Sequence, residues 1–203
     1  MFNNQDQKET GIYPHLTATI DGLQHSYYGI DEKESLKAVE LIRNHKRVVI
    51  CSMGKPAFAC AKAVYTAHSF GLDWIELDAT HAFHGDIGVV RKGDLIIMVS
   101  KSGNTDETND VAGHLKLNEG HTCLAITSNE KSQLGRICDY QLIIPIQSEC
   151  SPFGHAPMVS TTIYMMVLHA LLCEAIEAND VTIEQYARNH PSGQIGKDIR
   201  NGD

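Results

Sequence analysis

The six cysteines of this 203-residue chain (51, 60, 123, 138, 150 and 173) include no CxxC pair. A disulfide framework is therefore not expected. Cys51 and Cys123 fall inside apolar runs and read as small core hydrophobes kept reduced, which predicts a cytoplasmic protein. Long basic blocks are also missing, and the net charge is −8, which argues against nucleic acid as a partner. No N-terminal signal peptide is visible, because Met1–Gln7 is polar. The longest apolar stretch, Ile163–Ile176, is interrupted by His169, Cys173 and Glu174. It is too short to span a bilayer and reads as a buried helix, so no membrane partner is expected. With no internal repeat, low-complexity tract or Pro/Gly linker, the expectation is one domain over 1–203, carrying an N-terminal helical extension over about 1–45. A hydrophobic content of 42% is enough for one substantial core.

What is present is a regular alternation. Apolar strand candidates at Arg47–Ser52, Trp74–Leu77, Leu95–Ser100, Thr122–Thr127 and Tyr140–Ile146 alternate with other elements. Helical patterns cover Pro56–Ser69, Thr105–Leu117, Ser132–Ile137, Met158–Ala178 and Thr182–Asn189, and a loop covers Asp78–Gly88. This grammar predicts an α/β fold: a doubly wound, parallel five-stranded sheet between helices, a three-layer sandwich of the Rossmann-like or flavodoxin-like kind. Ligands of such sheets bind at the carboxyl ends of the strands. The segments Ser52-Met53-Gly54-Lys55, Ser100–Glu107 and Thr127-Ser128-Asn129 all fall there.

The densest chemistry lies after the third strand, in Ser100-Lys101-Ser102-Gly103-Asn104-Thr105-Asp106-Glu107. A buried strand runs into hydroxyls around one glycine, then into a helix capped by Asn104 or Thr105. Free N–H groups, the helix dipole and the hydroxyls together make an anion cradle. There is no Walker lysine and no dinucleotide glycine spacing, so neither a P-loop nor a dinucleotide fingerprint fits. An ordinary polar strand-to-helix connection is the alternative. His81 and His84, three apart, could share a helix face, but no third ligand stands at a telling distance. No metal and no cofactor is expected.

Five segments occur in order: Ser52-Met53-Gly54-Lys55, Ala82-Phe83-His84-Gly85-Asp86-Ile87-Gly88, Ser100-Lys101-Ser102-Gly103, Ala156-Pro157 with Ser160-Thr161-Thr162, and His190-Pro191-Ser192-Gly193. Together they resemble a sugar isomerase (SIS) domain of the arabinose 5-phosphate isomerase type, over about residues 45–200. The resemblance implies interconversion of D-arabinose 5-phosphate and D-ribulose 5-phosphate, in the short form without the two CBS modules that many members carry. The chain departs from the pattern at Ser52, Pro56-Ala57, Asn104, Met158-Val159 and Ser192. Two of these changes remove hydroxyls near the expected sugar site, which leaves the exact sugar phosphate open.

Moving a proton between C1 and C2 needs a base, a group that stabilises the enediol oxygens, and an acid or base that opens a cyclic sugar. Glu149, just past the fifth strand, is the first candidate base; the resemblance implicates it, and a solvated loop glutamate is the alternative. Glu107 competes for the role, or only complements the helix dipole. His190, set free of its helix by Pro191, is assigned ring opening or proton shuttling. The resemblance places it in the active site, contributed by a neighbouring subunit; a surface histidine is the alternative. Lys55 could polarise the carbonyl or pair with phosphate, and His84 could hydrogen-bond the sugar. Ser52, Gly54, Ser100, Ser102, Gly103, Asn104 and Thr105 are expected around the phosphate. The reading is a sugar-phosphate isomerase, homodimeric or homotetrameric. Alternatives are a non-catalytic phosphosugar-binding sensor or an isomerase of another sugar phosphate.

Overall fold

The unbroken apolar runs become the inner strands. β1 (Arg47–Ser52), β3 (Leu95–Val99) and β4 (Thr122–Thr127) are buried almost throughout, as strands covered on both faces must be. The edges are β2 (Asp73–Asp78) and β5 (Tyr140–Ile143), which are more exposed. All pairings are parallel, in the order β2-β1-β3-β4-β5. This computed structural model describes residues 11–118 and 120–201; the polar opening Met1–Gln7 lies outside them.

Eight helices accompany the sheet among the described residues. They are α1 (Ile12–Tyr28), α2 (Glu32–Asn44), α3 (Lys55–Ser69), α4 (Asp106–Leu117), α5 (Gln133–Ile137), α6 (Val159–Ala178), α7 (Ile183–Arg188) and α8 (Gln194–Asn201). Ile50, Ile97, Ile126 and Leu142 pack on one face of the sheet against α2, α3 and α6, with α1 laid on α6. Val49, Ile96, Met98 and Cys123 pack on the other face against α4 and α5. Burial pushes the thiols of Cys51, Cys123 and Cys138 up, Cys123 to about 11, so they are inert core groups.

Several expectations change in detail. The helical stretch expected to run through residue 45 is two helices. Asp31 starts the second by accepting the backbone N–H groups of Lys33 and Glu34 at 2.9 and 3.0 Å, and Gly29 fits where a Cβ would strike Pro145. The expected loop Asp78–Gly88 contains two short 3-10 helices, Ala82–His84 and Asp86–Val89, whose Ala82, Ile87 and Val89 join the second core. β5 stops at Ile143 rather than Ile146, since Pro145 has no N–H to continue the ladder. After Pro191 the chain forms α8. α6 is long and apolar enough to cross a membrane by length and composition; Ile163, Tyr164, Leu168, Leu171, Leu172 and Ala175 of it are buried in the core.

Candidate functional site

The sheet reverses its strand order between β1 and β3. The chain leaves β1 toward β2 on one side and leaves β3 toward β4 on the other, so the loops after them part and open a crevice. A cavity of about 250 Å³ lies there. Met53 and Pro56 line it from the β1–α3 side; Ser100, Lys101, Ser102, Thr105 and Thr108 from β3–α4; His155 and Pro157 from the loop before α6.

The β3–α4 loop is held rigid from beneath. Gly103 has φ 59°, and a Cβ there would lie 2.6 Å from Ser132 Oγ and 2.9 Å from Thr127 Oγ1, so no other residue fits. The Gly103 carbonyl accepts from the Leu134 N–H (2.9 Å), and the Lys101 carbonyl accepts from the Ser128 N–H (2.9 Å) and the Thr127 hydroxyl (3.0 Å). Asn104 Oδ1 accepts from the Gln133 N–H at 3.0 Å, so this side chain ties the loop to α5. Ser102 Oγ accepts from the Asn104 N–H (3.1 Å), and Ser100 Oγ lies 3.1 Å from Thr105 Oγ1. Thr105 is the N-cap of α4 but its side chain caps nothing, which leaves the first-turn N–H groups free for an anion. Thr108 adds a fully buried hydroxyl that makes no hydrogen bond among the described residues.

Glu149 is no solvated loop glutamate: it is 1% exposed. Its Oε2 accepts the N–H groups of Met158 (2.9 Å) and Ser160 (3.1 Å), closing the N-terminus of α6, and its Oε1 lies 2.6 Å from Lys101 Nζ. Burial would raise its carboxyl, but Lys101, Ser160 and the Met158 N–H outweigh it and hold the group below its ordinary value. Tyr164, buried beside Ser128 and Glu149, is pushed up by burial.

Other expected site residues are dispersed. Ser52 is buried, and its hydroxyl donates to the Val99 carbonyl at 2.8 Å, a strut between β1 and β3. Gly54 (φ 67°) turns the chain into α3, and Lys55 opens that helix as an exposed residue between the cavity-lining Met53 and Pro56. Glu107 stands exposed in the first turn of α4, and His84 is exposed beyond β2. His190 lies elsewhere. Its ring stacks on Tyr186, which packs on Phe70 at the far end of α3. Among the described residues no group of three His, Cys, Asp or Glu side chains gathers to hold a metal ion, and His81 instead sits 4.0 Å from Asp78.

Sequence reasoning passed over Lys101, Thr108 and His155. A cation between two cited serines was a visible signal for Lys101, and the i,i+3 spacing from Thr105 was one for Thr108. Nothing local marked His155, which a distant loop brings in.

Hydroxyls and an uncapped helix N-terminus at the switch point of an open parallel sheet, with a buried carboxylate behind them, define an α/β domain with its crevice at the carboxyl ends of the strands. The chain belongs to the SIS domain family, which it matches over residues 41–173. It is 31% identical to the arabinose 5-phosphate isomerase KpsF of Escherichia coli over 201 residues, 95% of this chain and 61% of that one. It is 30% identical to the arabinose 5-phosphate isomerase KdsD of Yersinia pestis over 179 residues, 88% of this chain and 54% of that one. The chain thus spans little more than half the length of these curated relatives. Among solved structures, Escherichia coli CFT073 c3406 in complex with arabinose 5-phosphate superposes with a TM-score of 0.82 at 26% identity, covering 94% of this chain and 100% of that one.

Proposed function

We propose that this chain is an aldose–ketose isomerase of sugar phosphates, acting in the cytoplasm on D-arabinose 5-phosphate and D-ribulose 5-phosphate. The observation that carries the reading is an uncapped α4 N-terminus at a cavity whose lining residue Lys101 pairs with the buried Glu149 behind it. The first-turn N–H groups of α4, with Ser100, Ser102, Thr105 and Thr108, hold the phosphate. Glu149 removes the proton from C2 of the aldose; the electron pair forms the enediol, and the proton returns at C1. The exchange is internally balanced and calls for no oxidant. Lys55 and Glu107, exposed in the first turns of α3 and α4, meet the carbonyl and hydroxyl groups of the sugar, and His84 hydrogen-bonds the sugar's hydroxyls. His190 opens the ring in the site of a neighbouring subunit of a homodimer or homotetramer. The curated relatives named above as arabinose 5-phosphate isomerases support this substrate over other sugar phosphates.

One observation favours a second reading. Glu149 is fully engaged as a helix cap and ion pair, as it could be in a domain that only senses phosphosugars. An NMR assay of the purified protein with a panel of pentose and hexose phosphates separates the two. Conversion of arabinose 5-phosphate to ribulose 5-phosphate is expected; saturable binding of a sugar phosphate with no turnover on any panel member would make the chain a sensor.

A further inference from the structure

Among the described residues, Lys101 both lines the cavity and contacts Glu149. Its backbone is clamped by Thr127 and Ser128, while its side chain, about two-fifths exposed, lines the cavity beside Ser100, Ser102 and Thr105. Its ammonium reaches past them to Glu149 Oε1 at 2.6 Å. Glu149 itself does not line the cavity; Lys101 stands between the carboxylate and any ligand. In this arrangement the carboxylate is a poor base, because a neighbouring cation and two N–H donors stabilise its charged form.

We propose that Lys101 is a positioning residue that gates Glu149: it holds the carboxylate while no sugar phosphate is bound and moves to the substrate's phosphate when the cavity fills, freeing Glu149 to act as base. The inference rests on the isomerase reading above. Its physical basis is competition between two anions for one cation. A phosphate dianion seated on the α4 N-terminus carries twice the charge of a carboxylate and lies on the solvent side of Lys101, where its flexible stem can turn. Once the ammonium leaves, Glu149 Oε1 is buried without a partner, and only the Met158 and Ser160 N–H groups on Oε2 still oppose the burial that favours the protonated form. The same carboxylate therefore becomes more basic only when a phosphorylated ligand is present. Proton abstraction is coupled to recognition of the phosphate, and an unphosphorylated sugar leaves the base locked. The groups facing Glu149 from the packed elements are Lys101 from the β3–α4 loop, Tyr164 and Ser160 from α6, and the Met158 N–H; His155 shares the cavity. Among these Lys101 is the only cation in contact with the carboxylate.

The test follows the side-chain carboxyl carbon of Glu149 by ¹³C NMR over pH, its resonance assigned by its loss in Glu149→Gln, with and without saturating inorganic phosphate. Phosphate is expected to shift the Glu149 titration midpoint upward in the wild-type protein. In Lys101→Met the midpoint should start high and respond little to phosphate. The Lys101 Nζ resonance of the unsubstituted protein, which needs no variant, should change on adding phosphate. An unmoved midpoint, or an equal upward shift in Lys101→Met, overturns the proposal, since the latter is the direct field of the anion without transfer of the lysine. With sugar phosphate as substrate, Lys101→Met should raise KM about tenfold or more, and Lys101→Arg should recover part of it. Absence of turnover on every sugar phosphate would sink the isomerase reading, while the NMR result would still decide whether Lys101 exchanges partners.

Discussion

The ring of His190 lies on the ring of Tyr186 with centroids 4.3 Å apart, and its Nδ1 is 2.8 Å from the Tyr186 carbonyl. Tyr186 rests in turn on Phe70, 4.7 Å away, at the end of α3 opposite the cavity. α3 has 15 residues and so measures about 22 Å, several times the reach of an imidazole. His190 thus cannot serve its own cavity while this stack holds. Co-refolding inactive His190→Ala with inactive Glu149→Gln should restore part of the activity, because mixed oligomers contain some sites with both residues intact. Absence of any recovered activity would assign His190 to its own subunit or to no site.

Glu149→Gln should keep sugar-phosphate binding and lose about two to four orders of magnitude in turnover, the usual cost of removing a general base. Single-turnover kinetics alongside calorimetric binding separates the two effects. A live Glu149→Gln beside a dead Glu107→Gln would exchange the roles of the two glutamates.

Acid stability should report the same carboxylate. The folded Glu149 is held below its ordinary value of 4.5, so its ionised form stabilises the protein above that pH. That contribution is lost as pH falls through the lower folded value. Glu149→Gln should therefore destabilise by about 1 kcal/mol or more near neutrality, where a charged helix cap is replaced by an amide, and by less in acid. Urea unfolding of both proteins at about pH 7 and about pH 3.5 checks the sign. A penalty that grows in acid would contradict it.

Gly103→Ala should cost about 1–3 kcal/mol, through a positive φ and a Cβ driven into Ser132 and Thr127. Because the strain falls on the loop carrying Ser100 and Ser102, phosphate affinity should fall with stability. Denaturant midpoints and phosphate titration of the variant test the pair; a stable variant with weakened binding would place the effect in the cradle alone.

Apolar side chains of α1 (Ile12, Tyr13, Leu16, Ile20, Tyr27 and Tyr28) remain exposed although α1 packs on α6. Their burial between copies of the chain should give a dimer or larger at micromolar concentration by light scattering. Leu16→Glu with Ile20→Glu should shift the mass toward monomer. A wild-type monomer would refute this.

Much of this molecule follows from local pattern. Arg47–Ser52 and Thr122–Thr127 were legible as strands to the residue, and the sheet's parallel order followed from the strand–helix alternation, because a parallel crossover needs an intervening element. The β3–α4 turn was legible too, since a strand, a glycine turn and a helix start are adjacent in sequence. Fine boundaries were less legible: Pro145 ends β5 early, and Gly29 with Asp31 breaks one helix into two.

By itself, then, the amino-acid sequence determined the α/β architecture and the strand-to-helix turn at Ser100–Thr105, which depend on contacts between near neighbours. Tertiary structure alone decided which polar groups meet. Ser52 is used up on Val99, 47 residues away, and Asn104 on Gln133. Glu149 is drawn out of solvent to cap α6 and to hold Lys101, and His190 is carried to the opposite edge by its stack on Tyr186. A side chain's role depends on who shares its buried space, and that is set by the packing of distant elements.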